Sequence, residues 1–139
     1  MKNLITILLL LVTTFSIYAH DLILRPDLTK SPGFFCTKEN QDFKELRYKE
    51  QIAVCKRNVS VQRKNKVYAS YGIQQADKVT YTIDHVVPLS MGGSNDELNL
   101  WPQHKDISSV NLEFRVFKLI EADKISHKEA LDLIYAVKK

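Results

Sequence analysis

The segment Tyr81–Asp106, YTIDHVVPLSMGGSNDELNLWPQHKD, decides the fold of this chain. It opens with β-forming residues and places a carboxylate beside an imidazole at Asp84 and His85. A Gly-Gly turn follows, and Asn99 then leads into a second apolar run that contains the only tryptophan. These features predict two short strands joined by an ordered loop, with the Asp-His pair at the end of the first strand.

The sequence on either side of this segment predicts helices. Three are expected, over about residues 61–71, 108–121 and 126–137. The last begins at Ser126, whose spacing to Glu129 is that of a capping box. Residues 43–55 mix charged and apolar side chains and predict a short helix or turn, while Pro102 is expected to stop the second strand. The expected fold class is therefore α+β.

The first residues have the layout of a secretory signal peptide: a lysine, an apolar run from Leu4 to Val12, and small or polar residues near Ala19. A transmembrane anchor is the alternative, but the run is shorter than the ~20 residues that a span needs. We expect residues 1–19 to be removed on export. Residues 20–139 then form a single domain, periplasmic or secreted, monomeric and without a membrane segment.

Cys36 and Cys55 are the only cysteines of the chain. Export places them in an oxidising compartment, where a disulfide is favoured. Two cysteines without a nearby histidine make a poor zinc site. We therefore predict that they are joined.

The charge distribution is more informative than the formal net charge of +4. A stretch without acidic residues, called here the basic segment, carries Lys56, Arg57, Arg63, Lys64 and Lys66. Such a stretch suits contacts with the phosphate backbone of a nucleic acid. A solvated helix face fits the same residues equally well.

The pair Asp84–His85 has the residue types that phosphodiester hydrolysis requires. The reaction needs a base to deprotonate water and a positive centre to stabilise charge on the phosphate. A neutral imidazole can serve as the base, and a carboxylate is a hard ligand suited to Mg²⁺. An isolated Asp-His pair is common in proteins, so it does not by itself identify an enzyme.

The wider pattern is more specific, because IDHVVPLSMGGSNDELNLWPQ resembles the signature of the HNH (ββα-metal) endonucleases. The matching positions, in order and at the family spacing, are Asp84, His85, Pro88, Leu89, Gly92, Gly93, Asn99 and Leu100. The leader, SPGFFC, YKEQIAVCKRNVS and NLWPQH resemble the exported bacterial branch of that family. The resemblance implies a ββα-metal (His-Me finger) core at about residues 79–121, flanked by helices.

The resemblance also implies roles for individual residues. His85 would be the general base, and Asp84 a ligand of a single divalent cation, most often Mg²⁺, with Mn²⁺, Ca²⁺ or Zn²⁺ as alternatives. Asn99 would fix the loop and help to orient the imidazole. The family usually takes its remaining ligand from an Asn or His on the following helix, where this chain has Ser108 and Ser109.

Helix periodicity offers a replacement ligand. An apolar stripe is expected from Val110, Phe114, Phe117 and Ile120. Glu113 falls inside that stripe, and a carboxylate on the buried side of a helix is costly unless it meets a cation. Glu113 is therefore the first candidate and His104 the second. The alternatives are a salt bridge with the basic segment for Glu113, and a loop cap or phosphate contact for His104.

Together these patterns predict an exported hydrolase that cleaves DNA, RNA or both in a metal-dependent reaction. No base-reading element is evident, so cleavage with little sequence specificity is expected. Trp101 could stack on a base, but a core position is favoured. Two other hypotheses remain open: an inactive nucleic-acid-binding module on the same fold, and a disulfide-stapled envelope protein with a coincidental motif.

Overall fold

Two small antiparallel sheets and three helices make up the part of the chain that the structure, a computed structural model, describes: residues 22–107 and 110–138. The strands are β1 (Phe43–Arg47), β2 (Ile52–Cys55), β3 (Tyr81–His85) and β4 (Leu100–His104). The helices are α1 (Val61–Ser70), α2 (Val110–Glu121) and α3 (His127–Lys138). The expected α+β class is confirmed. The predicted signal peptide, residues 1–19, and Ser108 and Ser109, which were predicted to begin the second helix, lie outside the described residues.

Strands β1 and β2 form a hairpin over residues 43–55, so the prediction of a short helix or turn there is wrong. Tyr48 and Gln51 have φ angles of 62° and 54°, and this left-handed backbone reverses the chain between the strands. Cross-strand pairing, which no local pattern reveals, outweighs the weak helical preference of the charged residues.

The predicted disulfide between Cys36 and Cys55 is present, with the two Cα atoms 5.8 Å apart. Cys55 is the last residue of β2, and Cys36 belongs to an irregular segment, residues 31–36, called here the N-terminal arm. Both cysteines are buried. The bond therefore fastens the N-terminal arm to the first hairpin.

Strands β3 and β4 form the second sheet, in which Asp84 lies opposite Trp101 and Tyr81 lies opposite His104. Strand β4 passes through Pro102 instead of ending before it, so that prediction is wrong. Both strands are edges in a two-stranded sheet, and a proline there can face away from the partner strand. Trp101 is 1% exposed, in agreement with the favoured core position.

The three helices begin and end close to the predicted residues. Ser60 caps α1 by accepting a hydrogen bond from the backbone of Arg63, and the Ser126–Glu129 capping box is formed at the start of α3. Helices α2 and α3 pack together around a core that comprises Met91, Val116, Ile120, Ala130 and Ile134. Among the described residues, no helix is long and apolar enough to cross a membrane.

Candidate catalytic and cation-binding site

The chain between β3 and β4, residues 86–99, is called here the connecting loop, and Asn99 holds it together. The Oδ1 atom of Asn99 accepts hydrogen bonds from the backbone amides of Val87 (2.8 Å) and Phe34 (3.2 Å). Its Nδ2 atom donates to the carbonyls of Val87 (3.0 Å) and Ser94 (2.8 Å). The side chain is fully buried. Its amide supplies these backbone groups with the hydrogen-bond partners that a neighbouring strand would otherwise provide.

The two glycines of the connecting loop are required for different reasons. Gly92 has a φ of 88°, in the left-handed region that favours glycine. Gly93 lies so close to the carbonyl group of Val87 that an added Cβ would overlap its oxygen atom. The Gly-Gly turn thus lets the chain fold back tightly over the end of β3.

His85 is buried at the end of β3, and both nitrogens of its ring have a partner. Nδ1 lies 3.3 Å from Nη1 of Arg57, and Nε2 lies 3.1 Å from Oδ1 of Asn95. A guanidinium can only donate, so Nδ1 is the acceptor and Nε2 carries the proton that is donated to Asn95. The basic lone pair of this imidazole is therefore on Nδ1.

Burial lowers the pKa of His85 from 6.5 to about 4. The hydrogen bond with Asn95 opposes this shift, and the positive charge of Arg57 adds to it. The imidazole is consequently neutral near pH 7, the protonation state that a general base needs.

A second layer of contacts holds Asn95 in place. Its Nδ2 atom donates to the carbonyl of Lys56 at 2.7 Å and to the carboxylate of Asp42. Asp42, Asn95 and His85 thus form a connected chain of carboxylate, amide and imidazole. The expectation that Asn99 orients the imidazole needs correction: Asn99 shapes the connecting loop, while Asn95 contacts the ring. The sequence does not single out Asn95, because no local signal separates it from other asparagines next to a turn.

Asp84 precedes His85, and its carboxylate contacts Lys138 of α3, whereas the ring of His85 contacts Arg57 and Asn95. Oδ2 of Asp84 lies 3.0 Å from Nζ of Lys138, and Oε1 of Glu113 lies 2.7 Å from the same nitrogen. Lys138 also donates to the carbonyl oxygen of His85 at 2.6 Å. Three oxygen atoms therefore surround one point, called here the cation position. The ammonium group of Lys138 occupies it.

The donor set at the cation position suits a hard divalent cation. Two carboxylates and one carbonyl are the oxygen ligands that Mg²⁺ and Ca²⁺ prefer, and Mg²⁺ commonly uses one or two carboxylates and completes its shell with water. Within residues 22–107 and 110–138, no cluster of three or more His, Cys, Asp or Glu side chains could hold a metal. The residues present thus fit a largely hydrated cation, provided that the ammonium group leaves.

His104, the second candidate ligand, is not brought to Asp84. It pairs with Tyr81 at the other end of the sheet, three residues along β3, or roughly 10 Å at the usual rise per residue. Its Nδ1 atom lies 3.5 Å from the carboxylate of Asp106, and its ring packs edge-on against Tyr81. This arrangement agrees with the alternative role of a loop cap.

The basic segment is divided among several partners. Arg57 contacts His85, and its Nη2 also donates to the carbonyl of Ile83 at 3.0 Å. Arg63 donates to the carbonyl of Asn58, and Lys66 forms a salt bridge with Glu97 at 3.2 Å. Lys56 is exposed and Lys64 half-buried. Of the five basic residues, Arg57 is the one in direct contact with the imidazole.

Comparison of the chain with protein-family models, with curated proteins and with solved structures finds no match.

Proposed function

We propose that the protein is an exported, metal-dependent endonuclease that hydrolyses phosphodiester bonds in DNA or RNA with little sequence specificity. One observation carries the proposal: the end of β3 presents a buried neutral imidazole at His85 and, from Asp84, a carboxylate that meets Glu113 at a cation position. These are the base and the charge-stabilising centre that the reaction needs. The HNH resemblance of the same segment supports a ββα-metal core made of β3, β4 and α2.

In this proposal His85 takes the proton of the attacking water at Nδ1. Asn95, held by Asp42, keeps the other ring nitrogen protonated and the ring in one orientation. The Arg57 guanidinium covers Nδ1 in the free protein. Transfer of its hydrogen bond to a phosphate oxygen would expose the base at the moment when substrate binds.

Asp84 and Glu113 would hold the divalent cation, and the carbonyl of His85 is a third available oxygen. When bound, such a cation supplies positive charge that stabilises the phosphate oxygens. Arg57 and the remainder of the basic segment would contact backbone phosphates, which makes binding salt-sensitive and nearly independent of sequence.

The test is a nuclease assay on the purified mature protein with linear DNA and RNA, in Mg²⁺ or Mn²⁺ and again in chelator. We expect cleavage that requires the ion and that falls at least ~100-fold in His85→Ala, the usual size of a general-base contribution. His104→Gln serves as a control and should keep most of the activity. Cleavage that survives both chelator and His85→Ala would refute the proposed mechanism.

A second candidate function is favoured by the ammonium of Lys138, which lies where the cation would bind. If this ion pair is permanent, the protein is an inactive module that binds nucleic acid through its basic segment. Salt-dependent binding without cleavage in any of several divalent ions would support this candidate over the enzyme.

A further inference from the structure

We propose that Lys138 competes with the divalent cation for the same oxygen atoms, so that the end of α3 controls access to the cation position. This inference rests on the proposed function, because it concerns the same carboxylates, Asp84 and Glu113. It extends that function by naming what sets the requirement for metal.

The ammonium group is fully satisfied in the folded protein. Its three N–H donors match three acceptors, on Asp84, Glu113 and the backbone of His85. The side chain of Lys138 is 3% exposed, whereas those of Asp84 and Glu113 are 23% and 22% exposed. Solvent and ions thus reach the carboxylates from outside while the lysine fills the inner side.

A divalent cation and this ammonium group cannot use the same oxygens together. Both would lie within about 3 Å of Asp84 Oδ2, and two positive centres that close repel strongly at a poorly solvated site. Metal binding must therefore displace Lys138. The side chain of Lys138 can leave only if the last turn of α3 moves or if the side chain itself adopts another rotamer.

Helix α3 itself directs Lys138 into the cation position. Ala130, Ile134 and Lys138 follow one another at four-residue spacing and are all buried. The first two pack in the core shared with α2, which fixes the rotation of the helix. Helix docking therefore presents the ammonium group to Asp84, and the occupancy of the cation position is coupled to the end of α3.

This coupling has a measurable consequence. The apparent association constant for a divalent ion is the intrinsic constant multiplied by the fraction of molecules in which Lys138 is withdrawn, so it is small when Lys138 stays in place. Replacement of Lys138 by methionine removes the competitor and keeps the apolar stem. It also leaves two carboxylates facing each other, which destabilises the ion-free protein until a cation neutralises them.

The experiment is a calorimetric titration of the purified protein with Mn²⁺, together with melting curves in chelator and in Mn²⁺. Lys138→Met should bind Mn²⁺ at least about tenfold more tightly than the parent protein. Its melting temperature should be lower in chelator and rise further on addition of Mn²⁺. The control is Lys128→Met on the exposed side of the same helix, where the lysine side chain is 84% exposed, and it should match the parent protein.

Unchanged affinity in Lys138→Met would overturn the inference. So would a gain that persists in the double variant Asp84→Asn/Lys138→Met, because the ion would then bind elsewhere. If Lys138→Met does not fold without ions, Lys138→Gln, which can still hydrogen-bond to the carboxylates, is tested for the same gain. Tighter binding without any cleavage would refute the nuclease and leave this inference standing. Ion-dependent cleavage with an unchanged affinity of Lys138→Met for Mn²⁺ would support the nuclease and refute this inference.

Discussion

Replacement of Asn99 by alanine tests whether one amide holds the connecting loop. The side chain makes four hydrogen bonds to backbone groups, at 2.8, 3.2, 3.0 and 2.8 Å, and it is fully buried. Alanine removes all four bonds at once. Their partners on Phe34, Val87 and Ser94 are left in a space that is closed to most solvent.

The expected loss follows from those four bonds. A net contribution of about 1 kcal/mol each gives about 4 kcal/mol, and the partners left unsatisfied raise the loss toward about 6 kcal/mol. A domain of this size has about 5–15 kcal/mol of stability in total, so the Asn99→Ala variant should be close to unfolding. With a urea dependence of about 2 kcal/mol per molar, its midpoint should fall by about 2 M or more.

Trp101 provides the assay. It is the only tryptophan and is 1% exposed, so its fluorescence reports unfolding of the core beside the loop. Urea titrations of the parent protein and of Asn99→Ala give the difference in the free energy of unfolding. Asn111→Ala, an exposed position on α2, is the control and should change stability by less than about 0.5 kcal/mol. A loss below about 1 kcal/mol in Asn99→Ala would show that the loop does not depend on these hydrogen bonds.

Three further predictions concern other parts of the same scaffold. Gly93→Ala should unfold the loop or abolish expression of folded protein, because its Cβ overlaps the carbonyl of Val87; circular dichroism and solubility measure this, and a normal melting temperature would contradict it. Replacement of Cys36 and Cys55 by serine removes a cross-link between residues separated by 19 positions. The free energy of unfolding, measured by urea titration, should fall by about 3 kcal/mol. An unchanged urea midpoint would show that the disulfide is dispensable. Because burial lowers the pKa of His85 from 6.5 to about 4, the unfolded chain binds a proton between these pH values that the folded protein does not. The folded protein therefore loses up to about 1.4 kcal/mol of stability per pH unit as the pH falls from about 6.5 to about 4, and no further below that. Urea titrations in chelator at several pH values should show a weaker dependence on pH in His85→Gln, and an identical dependence would refute the lowered pKa of His85.

The sequence was informative where a local pattern determines the structure. The β-forming run before Asp84, the Gly-Gly turn and the Ser126 capping box are short-range signals, and each corresponds to an observed feature. Helix periodicity also pointed to Glu113, whose carboxylate contacts the same Lys138 nitrogen as that of Asp84. The apolar stripe expected around it is wrong in part, because Phe114 is 59% exposed and Val116 is buried in its place. These results depend on spacings within one element.

The features that the sequence did not predict depend on contacts between distant elements. Lys138 meets Asp84 across 54 positions, and nothing in the local sequence distinguishes it from an ordinary solvated lysine. Asn95 reaches Asp42 across 53 positions. The hairpin at residues 43–55 likewise depends on pairing and on two left-handed residues that carry side chains. All three features arise when distant parts of the chain pack together, so a local sequence pattern cannot predict them.

The N-terminal arm has a consequence for the order in which the molecule can assemble. Backbone groups of Gly33, Phe34 and Cys36 hydrogen-bond to Leu98, Ser94, Asn99 and Gly92, some sixty positions further along the chain. Contacts of such separation form late, because the intervening chain must first lose its freedom. The bond from Cys36 to Cys55 joins the arm to β2, which itself lies against Gly92. In the oxidised chain the disulfide shortens by 19 positions the loop that these contacts must close. A reduced chain would therefore form the same contacts more slowly.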